Sequence, residues 1–260
     1  MITVFSRALT SELTKLLSLR TVPVTLVLTV VLPALYVATT VSTTREMLVT
    51  DPSMLGGGVV PETVGLGLAN LAVVGFIVLG VLAGSSESVG GQLRTSLVAV
   101  PRRSVLVSAK AAALTVVAIG VSVPVVASTS LLSQLMLGST GAIDGGVPPS
   151  LILRWLGVVV FLAGMALISM SIALVARSGF VPMIALIVVM QGGVMLLVLT
   201  TAAKYLPTIA GMQMFDRGMF AEEFPGALLS TGQAYAIFLA WVAVLLGGAV
   251  WTVRRRDLSR

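Results

Sequence analysis

The sequence predicts an all-α polytopic membrane protein with six transmembrane helices. Hydrophobic residues make up 57% of the 260 residues, and the mean hydropathy is +1.08. Charged residues make up only 10%, against about 25% in an ordinary soluble domain. Because so few polar residues cannot cover the surface of a globular domain, most of the chain must be solvated by lipid.

Six apolar runs are long enough to cross a bilayer. A helical span needs about 20 mostly apolar residues, and a helix satisfies its own backbone hydrogen bonds in lipid. We interpret residues 1–260 as one transmembrane domain, with an interfacial helix (1–21), a cytoplasmic coupling segment (85–110) and an outer reentrant segment (201–231). The predicted spans are about 22–41, 64–84, 111–137, 151–176, 180–200 and 232–253.

The positions of lysine and arginine predict the orientation. With a cytoplasmic amino terminus, 12 of the 16 cations fall on the cytoplasmic side, whereas seven of the ten acids fall outside. Cytoplasmic loops carry this excess of cations in membrane proteins, and an even number of spans returns the carboxyl terminus to the cytoplasm. The sequence therefore predicts a multi-pass protein of the cell (plasma) membrane with both termini cytoplasmic.

Several chemistries lack their usual residues. Histidine and cysteine are absent, which removes the commonest general base, the commonest transition-metal ligand, thiolates and disulfides. We expect no catalytic residue, metal site or cofactor on this chain. The net charge of +6 is explained by cations that flank the spans, and not by a nucleic-acid-binding face. No charged residue lies deep within a run, so coupling to a proton or sodium gradient is disfavoured.

The residues before the first span have an amphipathic pattern. Phe5, Leu9, Leu13 and Leu16 follow one another at steps of four, four and three, which places them on one face of a helix. Such a helix is suited to the cytoplasmic membrane interface. The alternative is a simple extension of the first span, because Pro23 would tolerate a kink there.

The second cytoplasmic segment is built as a short helix. Residues 90–91 are both glycine and permit a sharp exit from the second span, and Pro101 ends a helix over residues 92–100. Leu93 and Leu97 lie four residues apart and would form its apolar contact face. This helix would bind another protein or, alternatively, rest on lipid headgroups.

The last outer segment, residues 201–231, is long for a connection and too apolar to lie free in water. Its apolar and turn-forming residues include Pro207, Phe220, Phe224 and Pro225. We expect short helices that dip into the outer leaflet, where protein must cover their backbone.

One further pattern follows the second span. Its residues are Glu87, Gly91, Gln92, Leu93, Arg94, Thr95, Pro101, Arg102, Arg103 and Lys110, and the chain closes with Arg255-Arg256-Asp257-Leu258. Together with the amphipathic lead, the six spans and the outer segment, this pattern resembles the permease subunit of a type 2 ATP-binding-cassette (ABC) exporter. The resemblance covers essentially the whole chain.

The resemblance implies a division of labour between chains. Residues 92–100, with Leu97 on their apolar face, would be the coupling helix that docks into a groove on a separate ATPase subunit, and Glu87 would lie at the membrane end of the second span. Two permeases, identical or similar, would enclose the pathway and bind two ATPase copies. The chain has no Gly-x-x-x-x-Gly-Lys-Ser/Thr motif, so ATP and Mg are expected on the partner. An amphipathic or apolar cargo, such as a peptide antibiotic, drug or lipid, is expected.

Two alternatives stay open from the sequence. A membrane-embedded lipid-modifying enzyme would need a cluster of reactive groups, for which the outer side offers mainly Asp216, Glu222 and Glu223. A non-transporting sensor or assembly subunit would use the same coupling helix to hold an ATPase.

Overall fold

The computed structural model describes residues 2–50, 61–85, 103–143 and 146–255, whose regular structure is helical. A π-helical turn, Ala127–Leu131, joins the helices Arg103–Val126 and Leu132–Leu137 without a break. The all-α prediction is confirmed for these ranges. Their ten α-helices are α1 (Ile2–Ser18), α2 (Thr21–Thr50), α3 (Ala69–Ser85), α4 (Arg103–Val126), α5 (Leu132–Leu137), α6 (Pro149–Ala176), α7 (Phe180–Leu199), α8 (Pro207–Met212), α9 (Gly218–Glu223) and α10 (Thr231–Arg255).

Four helices in the described ranges are long and apolar enough to cross a bilayer: Thr21–Met47 within α2, Ser104–Thr140 through α4 and α5, α6, and α10. The two halves of α7, Phe180–Met190 and Gly192–Leu199, meet at 48° and together make a fifth candidate. Helix α3 is apolar and has 17 residues, which at 1.5 Å per residue extend about 26 Å. The chain is thus a candidate multi-pass membrane protein with four to five long spans, and six complete crossings stay a prediction.

The first two apolar helices do not begin and end where the apolar runs do. Helix α2 continues past Val41 to Thr50, and hydroxyls in this extension donate to carbonyls of the preceding turn, as Thr44 Oγ1 does to Thr40 O at 3.1 Å. Helix α3 begins at Ala69 instead of residue 64, because Gly65 has a φ of +84° and the chain turns there. Hydropathy therefore predicts which residues lie in an apolar medium, but it does not predict the residue at which a helix begins or ends.

Helix α4 also differs from the predicted third span. It begins at Arg103, eight residues before the start of the apolar run at residue 111, and it includes Lys110. Pro124 lies inside α4 and has no backbone N–H to give to the preceding turn, and the π-helical turn follows directly after Val126.

Helix α6 lies at the centre of the bundle. In its most apolar stretch 72% of the residues are buried, against 22% for α2 and 11% for α10. Helix α3 packs closely along it, and the approach is closest at Gly80, where a Cβ atom would overlap the carbonyl oxygen of Ala166 and lie 2.8 Å from the Cβ of Ser169. Small residues thus permit the close packing of α3 and α6 at this contact.

The outer helices of the bundle expose large apolar side chains along their length. Soluble monomers rarely expose such a continuous apolar surface, which is suited to contact with lipid. The exposed residues include Val24, Val27, Leu28, Val31, Leu32 and Leu35 on α2, Val181, Ile184, Val188 and Val198 on α7, and Leu239 and Val244 on α10.

A methyl group at Gly80 should loosen the centre of the bundle. We expect Gly80→Ala to lower the free energy of unfolding by about 1–3 kcal/mol, because α3 must move away from the Ala166 carbonyl. Thermal unfolding in detergent measures this change. In the matched control, Gly120→Ala on α4, the new Cβ has no neighbour within 4 Å, so we expect equal or higher stability. Equal stability of the two variants would contradict the close α3–α6 contact.

Candidate functional site

The predicted coupling residues lie mainly outside the described ranges. These residues are Glu87, Gly91, Gln92, Leu93, Arg94, Thr95, Leu97, Pro101 and Arg102, and their role stays a prediction. Arg103 is the first residue of α4, and α3 is described as far as Ser85. The structure therefore describes the two helices that flank the segment, and the candidate site is the end of the bundle where they meet α1.

Helix α1 is a helix of its own, separated from α2 by Leu19 and Arg20. It packs on α4, and of the four predicted face residues Leu16 is buried whereas Phe5, Leu9 and Leu13 are half-buried. The centre of the buried face is formed by Ala8, Glu12 and Leu16, at steps of four. The amphipathic face is thus present, but it contacts protein as well as the surrounding medium. Its location at a membrane surface stays a prediction.

A buried ion pair joins α1 to α4. Lys110 Nζ donates to Glu12 Oε2 at 2.6 Å, and Lys15 Nζ donates to Glu12 Oε1, also at 2.6 Å. Among the described residues, the buried charged side chains are those of Glu12 and Lys110, which are 4% and 5% exposed. The side chain of Lys15 is 45% exposed. Removal of one partner from such a pair leaves an uncompensated charge, which typically costs about 3–5 kcal/mol.

The lysines control the ionisation of Glu12. Desolvation by burial would raise the pKa of this carboxyl, but the charges and hydrogen bonds of Lys110 and Lys15 outweigh it, so the pKa of Glu12 is lowered. Glu12 is therefore ionised at neutral pH, and its contribution to stability is lost only as the pH falls below the ordinary range of a glutamate.

Three helices converge beside this ion pair. A cavity of about 180 Å³ is lined by Glu12, Lys15, Leu16, Ser18 and Leu19 of α1 and its link, by Leu82 and Ala83 near the end of α3, and by Lys110 and Ala113 of α4. Helices α3 and α4, which flank residues 86–102 in the chain, thus both line the cavity beside α1. Glu12 is not among the site residues that the sequence predicts, although an acid four residues from both Ala8 and Leu16 on the buried face is a signal in the sequence.

The outer segment contains the short helices that the sequence predicted. Pro207 begins α8, and residues 208–212 of this helix are all buried. Close contact with α6 occurs at Gly211, where a Cβ atom would overlap the ring of Phe161. Protein therefore covers this backbone, as a segment that dips toward the apolar medium requires. Of the other predicted residues, Phe220 is buried, Phe224 is half-buried and Pro225 is exposed.

Polar side chains hold the outer segment to the bundle. Arg154 of α6 pairs with Glu62 (Nε to Oε2, 3.4 Å) and donates from Nη1 to the carbonyl oxygen of Phe215 at 2.9 Å. Gln213 is fully buried, and its amide donates to Ala227 O at 3.2 Å and accepts from the Leu229 N–H at 2.8 Å. This network cannot be predicted from the sequence pattern, because its partners are far apart along the chain.

Asp216 is an acid beside this outer network, and its pKa is raised. Burial raises its pKa, and the hydrogen bond from the Gly218 N–H (3.3 Å to Oδ1) and the positive charge of Arg154 offset only part of that effect. Gly67 lies against the carboxyl group, since a Cβ atom there would be 2.7 Å from Oδ2. Within the part of the chain that the structure describes, no three acids lie close enough together to hold a metal ion.

Each of the two polar clusters joins residues that the predicted orientation places on the same side of the membrane. That orientation places Glu12, Lys15 and Lys110, which meet at one end of the bundle, on the cytoplasmic side, and the partners Glu62 and Arg154 outside. The orientation itself stays a prediction.

Comparison of the chain with protein-family models, curated proteins and solved structures found no match in any of the three. Function must therefore be inferred from the residues and their geometry.

Neutralising Asp216 should stabilise the protein at neutral pH. A carboxyl whose folded pKa is raised binds its proton more tightly in the folded state, so its ionisation lowers stability as the pH rises. We expect Asp216→Asn, which keeps an acceptor for the Gly218 N–H, to unfold at a higher temperature than wild type at pH 7. The difference should shrink as the pH is lowered towards 4. A difference that grew on acidification would contradict the raised pKa of this carboxyl.

Proposed function

We propose that this chain is the membrane-spanning permease subunit of an ATP-driven ABC exporter. Two such subunits, identical or similar, would form the pathway, and each would bind a separate ATPase subunit through residues 92–100. ATP and Mg would be bound by that partner. The proposal includes six crossings, with α3 and the bent α7 as the two spans that are shorter or broken.

The observation that carries the proposal is the convergence of α1, α3 and α4 at one end of the bundle. Leu82, near the end of α3, and Lys110, two turns into α4, line one cavity with α1. Helix α3 ends at Ser85 and α4 begins at Arg103, so two of these three helices flank the segment 86–102 in the chain. A displacement of that segment by a cytoplasmic protein would be passed to two apolar helices at once.

The distribution of charge supports ATP as the energy source. The charged contacts between distant parts of the described chain, Glu12 with Lys110 and Glu62 with Arg154, lie at the two ends of the bundle, and the polar side chains buried between them are uncharged hydroxyls and amides. Ion-driven transporters commonly place an ionisable group near the membrane midplane. A largely apolar, uncharged interior is also compatible with an amphipathic or apolar cargo, which we propose to be a peptide antibiotic, a drug or a lipid.

The docking face can be tested with charged substitutions. We expect the double variant Leu93→Glu/Leu97→Glu to lose ATPase association, because two carboxylates on the apolar face cannot enter an apolar groove without a large desolvation cost. Association is measured by co-purification with the ATPase subunit, and coupling by the rate of ATP hydrolysis in the reconstituted complex. We expect co-purification to be lost and the rate of ATP hydrolysis to fall to that of the ATPase alone.

Ala99→Glu is the matched control. On a helix with about 100° per residue, Ala99 lies about 140° around from the Leu93 and Leu97 pair. We expect this variant to retain association and stimulated hydrolysis. Undiminished association of the double variant would show that the face is wrong. Intact ATPase binding without ATP-dependent cargo movement in vesicles would favour the sensor or assembly role over the permease.

A further inference from the structure

The ion pair between Glu12 and Lys110 differs from the other contacts of α1. Apolar contacts such as those of Leu16 are non-directional and do not require one specific pair of atoms to meet. The Glu12 carboxylate, by contrast, accepts a hydrogen bond at 2.6 Å from Lys110, 98 residues away in the chain. A shift of α1 by one residue is about 1.5 Å along the helix axis and would break this bond. The pair therefore defines the register of α1 on α4.

The links on either side of the pair would carry movement onward. Helix α4 follows directly on the segment 86–102, so a displacement of that segment reaches Lys110 within two helical turns. Helix α1 joins α2 through Leu19 and Arg20 alone, and the Val22 N–H donates to the Leu19 carbonyl at 3.0 Å, which makes this link a hydrogen-bonded turn. A helix held at this position transmits its motion to α2.

We propose that Glu12 and Lys110 are positioning residues that lock α1 to α4, so that displacement of the coupling segment is passed through α1 to α2. This inference rests on the proposed function for the origin of the displacement, but the lock itself is a property of the chain alone. Lys15 is an auxiliary partner. Its side chain is 45% exposed, and its bond to Glu12 joins two residues of α1, so this bond does not join α1 to α4.

The absence of cysteine makes the lock measurable in the full chain. Spin labels at Ser11→Cys and Ser108→Cys, both exposed and on α1 and α4, report the distance between the helices by double electron–electron resonance in lipid nanodiscs. We expect a narrow distance distribution in the otherwise unchanged chain. In Glu12→Gln/Lys110→Gln the ion pair is lost but no single charge is left buried, so the bundle should fold, and the distribution should broaden.

Lys15→Gln is the matched control, because it removes the exposed lysine from the same carboxylate and leaves the Lys110 bond in place. We expect a distribution as narrow as that of the parent. An equally narrow distribution in Glu12→Gln/Lys110→Gln would overturn the lock. This first measurement needs no ATPase, so it decides the lock even if the proposed function is wrong.

The second measurement tests transmission in the complex with the co-purified ATPase. We expect Glu12→Gln/Lys110→Gln to keep ATPase binding but to lose the permease-dependent stimulation of ATP hydrolysis, a split that general loss of folding would not produce. Full stimulation in this variant would overturn the transmitting role. If no ATPase co-purifies with the parent chain, the proposed function is wrong, and the distance measurement still decides the lock.

Discussion

The structure depends on one constraint, which is that an apolar medium offers no partner to a backbone N–H or carbonyl group. Helices satisfy these groups internally, and hydroxyl side chains within them donate to the preceding turn, as Ser169 Oγ does to Met165 O at 2.6 Å. Where the regular pattern changes, neighbouring protein compensates. The π-helical turn after α4 contains Ser130, whose hydroxyl accepts from the indole N–H of Trp155 on α6 at 2.7 Å. The short helix α8 is likewise covered by α6 and α10.

The same constraint separates polar from apolar packing. Between the two ends, α3 and α6 meet through small residues such as Gly80 and Ala166, because backbone approach replaces the hydrophobic driving force that lipid removes. At the ends, where water can reach, buried or half-buried charges bind specific partners. Glu12 and Lys110 do this at one end, and Glu62 and Arg154 at the other. Apolar packing thus gives the bundle its shape, and the charged contacts give its peripheral segments their positions.

The positions of these contacts connect the fold to the proposed function. A permease driven by an external ATPase needs a rigid path from its cytoplasmic surface into the bilayer. Helices α1 and α4 are joined by an ion pair at the end of the bundle that the cations predict to be cytoplasmic, and α4 continues through the π-helical turn to the opposite end. The outer segment is held by Arg154 of the central helix α6. We therefore expect that movement of α4 and α6 displaces the segments that they hold at the two ends of the bundle.

The sequence by itself determined the helical class, the apolar segments and the short helices of the outer segment, and it predicts a lipid medium, because hydropathy and composition can be read without knowledge of the fold. It did not determine that α2 extends to Thr50 or that α7 bends, since backbone turns depend on neighbouring helices. Tertiary structure alone decided that Glu12 faces Lys110 and that Arg154 reaches Phe215. Each contact joins residues more than 60 positions apart, and no local pattern records which distant charge a side chain will meet.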